Sequence, residues 1–467
     1  MDVAEFERVR FSAMTGRRAF LRRMSVGLGG SALSSLWAED EKFLRAGGGG
    51  HFAPRVKSVI FLFMCGGVSA MDTFDPKDNQ HAGKMMETKN SDSGKAQLRP
   101  VLHSPRVWTR YGKSGIPVCD WFPHVGGVID EIAVIRSMYC HEVGHFPAVG
   151  EISTGHRNRI FDHPALGAWA SYALGTGNKN LPTFVNIGRP SAPAQVAGGY
   201  LGGQESATPF QAGETPLDNL KLPAGLTRVQ RDKQMETLFR LNQEFHEKHA
   251  FDAEVAARLR SYELAGSLQL AGPELVDFAG ESEGVRGMYG IGEAETDDFG
   301  RQALLARRLA ERGVRFIQLC HGGGMGNGKW DSHESMADHG PLCRQTDKPI
   351  AGLIRDLKQR GMLESTLVVW ATEFGRTPYS QNTVGRDHNP NGFTCWMAGG
   401  GVKGGTVYGA TDEVGYKAVE NRRYVTDLQA TILQQMGLDY KKMSVVVNGR
   451  PMHMIEESAG PIGEIVS

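Results

Sequence analysis

The sequence predicts an α/β protein in which a mostly parallel central sheet is sandwiched between two layers of helices. Three observations predict it. Apolar runs such as VKSVIFLFMCGG (Val56–Gly67) and TLVVWA (Thr366–Ala371) are nearly continuous, as in strands buried on both faces. Segments with leucine and alanine at three-to-four spacing lie between such runs, which argues for helices in alternation with strands. Each run ends in glycines or in acids and histidines, and in open α/β sheets ligands bind beyond that end of the strands.

The chain begins with TGRRAFLRRMSVGLGGSALSSLWAED, where Arg17, Arg18, Arg22 and Arg23 precede a weakly apolar stretch from Met24 to Leu36. That stretch is too short to span a bilayer comfortably. The pattern resembles a twin-arginine export signal, although Gly16 stands where Ser or Thr usually precedes the arginine pair. Residues 1–38 therefore read as a signal segment handed to the twin-arginine export machinery, in contact with the membrane only transiently. Cleavage near Ala38 is poorly marked because Leu36 is large. The competing reading is an amphipathic helix with a solvated basic face. Export places the protein in the periplasm or outside the cell. Residues 39–55, with RAGGGGHFAPR, read as a flexible linker, and 56–467 as one α/β domain.

Within that domain the strand at Val56–Gly67 runs into VSAMDTFDPK, which carries Asp72, Thr73 and Asp75. EIAVIRSM (Glu131–Met138) runs into YCHEVGH, with Cys140, His141, Glu142 and His145. Gly198–Pro216 is rich in Gly, Gln and Pro and reads as loop. Leu226–Leu268 is compatible with helix, and together these form an insertion around residues 198–298. A helix over Phe299–Gly313 leads to the strand VRFIQLC (Val314–Cys320). The next stretch, HGGGMGNGKWDSHESMADH, carries His321, Asp331, His333, Asp338 and His339. A helix is predicted over Pro349–Glu364, with Pro349 at its start. The strand Thr366–Ala371 then delivers Glu373 and Arg376, and GRDHNPNGF supplies Asp387 and His388 before another apolar run. Val425–Tyr440 closes the domain as a helix capped by Thr426 or Asp427.

Composition excludes several classes. Lys+Arg and Asp+Glu balance at 52 each, so the whole chain exerts no net pull toward nucleic acid or an anionic membrane. The 60 glycines show no three-residue period, which rules out collagen. Six cysteines include no CxxC pair, so a thiolate zinc site of ordinary spacing has no support, and the sequence gives no disulfide pairing.

The chemistry at the strand ends suits a divalent metal bound by imidazole and carboxylate. Asp72, Asp387 and His388, from separate loops, form one ligand set. Asp331 with His333 or His339 forms a second, and Asp331 and His333 share one face of an extended backbone. Two metals about 3.5–4 Å apart can clamp attacking and leaving oxygens in hydrolysis. Glu373 is a ligand or the orienter of one. Arg376 suits a phosphate or sulfate group by bidentate hydrogen bonding, against the plainer reading of a salt bridge to Glu373. Candidate nucleophiles are Cys140 and Thr73, each just past a strand, or a water that needs neither. Against all this, any single Asp-His pair in a loop is most often a solvated turn.

From about Val56 to Ile465 the chain resembles a bacterial family, domain of unknown function 1501, which is labelled sulfatase-like and placed in the alkaline phosphatase superfamily. The resemblance rests on SVIFLFMCGGVSAMDTFDPK, HPALGAWASYALG, DLKQRGMLESTLVVWATEFGRTP and GRDHNPNGFTCWMAGGGVKGGTVYGATDEVG. It implies an alkaline phosphatase-like fold and one or two divalent ions, with zinc, manganese and calcium undistinguished. It also implies attack by Ser, Thr or a modified Cys on phosphorus or sulfur esters. On that resemblance Asp72 and the Asp387-His388 pair hold the first metal, and Asp331 and His333 approximate the ligands of the second. Cys140 lies where the nucleophile would come. The expected partner is an anionic ester, such as a sulfated or phosphorylated glycan. Three departures stand out. HEVG follows Cys140, so the CxPxR context for formylglycine is absent. Thr426 and Gln429 stand where the family commonly has histidines, and Asn389 turns its DHH into DHN. They leave open a one-metal variant or a non-catalytic binding protein on the same fold.

Overall fold

A computed structural model describes residues 50–467 other than 90–95, 158–160, 179, 212–224, 249–263, 265, 269–271, 325, 381–383 and 457. The export segment and most of the linker lie outside the described residues.

Nine strands form the main sheet. In chain order they are β1 (Ser58–Met64), β2 (Ile132–Tyr139), β3 (Phe184–Gly188), β4 (Thr208–Phe210), β5 (Phe316–His321), β6 (Thr366–Ala371), β7 (Phe393–Ala398), β8 (Thr406–Tyr408) and β9 (Arg423–Tyr424). Across the sheet the order is β8-β2-β7-β6-β1-β5-β3-β4, with β9 also pairing β2. β1 lies between β6 and β5, both parallel to it, with Phe61 opposite Val369 on one side and Gln318 on the other. β7 alone runs against its neighbours β6 and β2. Two reversals restore the direction, so β2 runs with β1, and the four strands that precede the acid- and histidine-bearing loops end at one edge.

Every residue of β1 is buried, which is why the run lacks a polar face. Ile60, Leu62 and Met64 join a core with Leu304, Ile350, Leu353 and Ile354 on one side of the sheet. The alternate residue Phe61 stacks toward Phe316 (6.2 Å between ring centroids), and Phe316 meets Phe184 edge-on at 5.5 Å on the other side. The helices are α1 (His145–Thr154), α2 (Leu166–Leu174), α3 (Asp297–Glu311), α4 (His339–Gln359) and α5 (Val425–Gln435). α3 and α4 cover the first face. α2 packs on Phe184 through Gly167, and α5 packs on α1. The layers are helix, sheet and helix, as the sequence predicts.

Three local expectations change. Pro349 lies inside α4, which starts ten residues earlier at His339. The helix continues through the proline because Leu342 and Cys343 before it, and Ile350, Leu353 and Leu357 after it, are buried in one core, and tertiary packing overrides propensity. Neither Thr426 nor Asp427 is the cap of α5. Tyr424 occupies that position, and Asp427 reaches back to accept its N–H at 3.1 Å, the carboxylate half of a capping box. Thr208–Phe210, inside the segment read as loop, pairs with β3 and edges the sheet. A helix does occupy Arg228–Lys248. All six cysteines are free thiols. No helix among the described residues is long and apolar enough to cross a membrane.

Candidate metal centre

Past the common strand edge, three imidazoles and two carboxylates converge. The loop after β2 turns at Gly144, and α1 opens on His145. Its Nδ1 lies 2.8 Å from Oε1 of Glu373, which also accepts the Gly66 N–H at 2.9 Å. A carboxylate only accepts, so His145 donates from Nδ1 and its Nε2 is left with a lone pair. That Nε2 is buried, makes no hydrogen bond, and faces Asp331 Oδ2 at 3.3 Å. Burial disfavours a charged His145, but Asp331 and Glu373 more than offset it and raise its pKa. Carboxylates thus face the ring on both sides.

His388 has the same design with a different orienter. Its Nδ1 sits 2.7 Å from the Val143 carbonyl, which fixes the proton there and points Nε2 inward. Nε2 lies 3.3 Å from Asp331 Oδ1 and 2.9 Å from Nε2 of His333. His333 Nε2 is in turn 3.0 Å from Asp331 Oδ1, while its Nδ1 is buried without a hydrogen bond and stands 3.9 Å from Asp387 Oδ1. Phe374 floors the group, with ring centroids 4.4 Å from His388 and 4.9 Å from His145. Burial and the nearby Arg376 charge lower the pKa of His388, although Asp331 opposes them. For Asp331 burial opposes ionisation, but the imidazoles of His145, His333 and His388 around it and the Arg376 charge prevail, and its pKa is lowered. Two overlapping trios, His145–Asp331–His388 and His333–Asp387–His388, have ligand atoms within 4.8 Å of one another.

A short ribbon holds the Asp387-His388 loop in place. Arg376 and His388 pair across it, as do Gly375 and Asn389. Asn389 donates to the carbonyls of Gly392 (3.0 Å) and Tyr416 (2.9 Å), so its amide pins the loop.

The structure does not bring every predicted residue into this group. Asp72 is buried elsewhere on the edge, with Oδ2 accepting from Arg386 Nε at 2.8 Å and from Ser69, and Oδ1 accepting from Ser104 at 2.6 Å. Three donors take up most of its acceptor sites. Arg376 does not face an open site either. Its guanidinium is buried and donates to the carbonyls of Gly66, Gly67 (2.9 Å), Trp330 and Arg386 (3.1 Å), and to Asp331 Oδ1 at 2.6 Å. Its partner is Asp331, not Glu373. The Thr73 hydroxyl is buried and donates back to Ser69 O at 2.7 Å. Cys140 is buried, its thiol directed at the carbonyls of Glu142 and Glu373, and burial pushes its pKa well up, so the reactive thiolate is disfavoured. His339 stands apart from this group, both ring nitrogens engaged by serines. The Ser69 N–H donates to its Nε2 at 3.2 Å, so Nδ1 carries the proton toward Ser332 Oγ at 2.9 Å. That tautomer makes His339 a donor to Ser332 rather than its base. Asp331, His333, Asp387 and His388 are brought together, with Glu373 behind them. His145 completes the group and was not singled out, although it lies in the YCHEVGH stretch that the strand delivers.

The chain matches over residues 56–466 the family described as Protein of unknown function (DUF1501). It belongs to that family. A search of curated proteins gives no match. Among solved structures, it is similar to the PsFucS1 sulfatase from Pseudoalteromonas sp. (12% identity, TM-score 0.37, covering 88% of this chain and 72% of that one). It is also similar to the C-terminal periplasmic domain of EcEptC from Escherichia coli, in complex with Zn (10%, 0.36, 90% and 98%), and to the TAB5 alkaline phosphatase with Mg bound (11%, 0.34, 83% and 99%). These likenesses are too distant to assign a site. In this DUF1501 chain the two helix positions expected as histidines are Thr426 and Gln429. Gln429 donates to Ile152 O at 2.6 Å, near the far end of α1 from His145, and Thr426 is buried.

Proposed function

We propose that this DUF1501 protein is an exported, metal-dependent hydrolase of phosphate or sulfate esters. One observation carries the reading. Two buried imidazole nitrogens, His145 Nε2 and His333 Nδ1, lack hydrogen-bond partners and border Asp331, Asp387 and His388. Buried polar atoms rarely stay unpaired, and imidazoles oriented by a carboxylate and a carbonyl fit a divalent metal. The ligands would be His145, Asp331 and His388, with His333 and Asp387 completing the set. His388 has only Nε2 to give, because Nδ1 is committed to Val143. The two trios therefore compete for one lone pair, which favours a single principal ion over two.

A bound divalent ion supplies a Lewis acid toward an ester oxygen. The residues do the rest. Glu373 and the Val143 carbonyl hold two rings in the tautomer that presents Nε2. Arg376 holds Asp331 ionised and aimed at them. With Cys140 and Thr73 both tied to carbonyls, the attacking group is a water rather than a side chain. A second reading, a non-catalytic exported protein on the same fold that binds a partner protein, is favoured by one observation. Arg376, the residue suited to an ester anion, has its donors directed at protein.

The test is elemental analysis of protein from an exporting host, beside Asp387→Ala and His388→Ala. We expect one equivalent of metal per chain, lost in both variants, and turnover of p-nitrophenyl phosphate or sulfate that follows the metal. No metal after reloading with zinc, manganese and calcium sinks the hydrolase. Metal without turnover of any ester supports the binding protein.

A further inference from the structure

We infer that Glu151 is a positioning residue of the metal group. It fixes the loop whose Val143 carbonyl keeps the His388 proton on Nδ1 and so leaves Nε2 free to bind. That role presupposes the metal-group reading proposed above, while the contacts that carry it lie outside the group.

Glu151 stands in the second turn of α1 and is 1% exposed. Its Oε2 accepts the backbone N–H groups of His141 at 3.2 Å and Glu142 at 3.3 Å, and its Oε1 accepts the Tyr424 hydroxyl. Burial, then the neighbouring Glu151, raise the Tyr424 pKa, so that hydroxyl remains a donor. A buried carboxylate is costly unless it is paired or hydrogen-bonded. The cation that faces it among the described residues, Arg157, is half exposed and 4.0 Å away. The three donors, rather than an ion pair, account for its burial.

Those donors steer a short loop between β2 and α1. The Cys140 N–H donates to the Pro390 carbonyl at 2.9 Å, which ties the loop to the strand segment that carries His388. Glu151 then holds the next two N–H groups. Val143 follows directly, and its carbonyl lies 2.7 Å from His388 Nδ1. Packing does not set that carbonyl, because the Val143 side chain is 48% exposed and Gly144 comes after it. The hydrogen bonds to Glu151 do. Without the Val143 acceptor, the imidazole proton belongs on Nε2, where Asp331 Oδ1 at 3.3 Å would accept it. A proton there occupies the one lone pair that His388 has to offer.

The experiment compares Glu151→Gln with Glu151→Asp in the full chain. Gln keeps the reach, with its oxygen toward the two N–H groups and its amide donating to the Tyr424 oxygen. Asp keeps the charge and loses the reach. The His388 tautomer is read in nitrogen-15 spectra of histidine-labelled, metal-free protein, with signals assigned by their loss in His388→Gln. Zinc affinity is read by competition with a chromophoric chelator, and near-ultraviolet circular dichroism checks the fold. We expect Nδ1–H in the wild type and in Glu151→Gln, with zinc affinities within about threefold, and Nε2–H in Glu151→Asp, with affinity lower by about tenfold or more. If Glu151→Asp does not fold, Tyr424→Phe, which releases Oε1, is read in its place and should move part of the His388 population to Nε2–H. A wild-type tautomer and affinity in Glu151→Asp, or in Tyr424→Phe where it stands in, overturns this role. So does loss of both in a folded Glu151→Gln. A wild type that takes up no zinc defeats the metal reading instead, and the tautomer alone then decides on Glu151.

Discussion

Two buried Asp–Arg pairs lie on the same sheet edge, and their contrast separates structure from site. Asp72 pairs with Arg386 at 2.8 Å and fills its remaining oxygen with Ser104. Asp331 pairs with Arg376 at 2.6 Å but also faces His145, His333 and His388 within 3.3 Å. Burial opposes the ionisation of Asp72, and Arg386 with the two serines outweighs it, so its pKa is lowered within a closed network. Asp331 has more imidazole neighbours than an anion needs, and two of them keep unpartnered nitrogens. The first pair is satisfied. The second asks for a cation.

The sharpest way to break this comparison is to cut each pair. Asp72→Ala leaves Arg386 buried and uncompensated, which costs about 3–5 kcal/mol in urea unfolding, yet metal content per folded chain should stay at its wild-type value. Asp331→Asn should abolish metal binding while the fold persists at moderate cost. Loss of metal from Asp72→Ala with a normal fold would return Asp72 to the ligand set.

A smaller effect comes from His339, which links the two pairs through Ser69 and Ser332. Burial pushes its pKa down to about 3, and that of His321 to about 4. Both folded values lie below the ordinary 6.5, so the unfolded chain takes up these protons first. Their stabilisation is complete above about pH 6.5 and is lost as pH falls toward 4, on the order of 3 kcal/mol per group. The depressed carboxylates Asp72 and Asp331 act only below their ordinary range, near pH 4. Urea unfolding from pH 7 to 4 should show the decline, and His339→Gln should flatten it. An unchanged slope in that variant would show that His339 already titrates normally in the fold.

Glu373 tests the metal side alone. Glu373→Gln keeps an acceptor for His145 Nδ1 but removes the charge that fixes and polarises the ring. Metal affinity should fall about 10–100-fold, measured by competition with a chromophoric chelator. Unaltered affinity would remove His145 from the ligand set.

Much of the edge was legible in the sequence, and the reasons for the rest are physical. β1 and β6 were visible because both faces are buried, and their common direction followed from helices between them. Asp72 and Asp331 look alike in sequence, each an acid past a strand. What separates them is a partner 314 residues away, Arg386, which no local pattern announces. His145 and His141 sit four residues apart in one stretch, and the start of α1 decides between them. His141 packs on the rings of Tyr139 and Tyr424, whereas His145 meets Phe374 and His388. Arg376 was legible as important but not in its role, because the carbonyls that take up its donors come from the ends of two other loops.

The smallest expected effect is the most discriminating for mechanism. The family resemblance of the sequence points to Cys140 as a nucleophile, whereas its thiol lies against two carbonyls with its pKa well raised by burial. A nucleophile in that state would need both to turn and to lose a proton against its surroundings. Cys140→Ala should therefore change ester turnover by no more than about twofold, and the protein should not be labelled at that position by iodoacetamide at pH 8. A hundredfold loss of turnover with metal content intact would instead make the thiol the attacking group. It would then follow that the pose of Cys140 belongs to a resting state, and that the metal group acts on a covalent intermediate rather than on water.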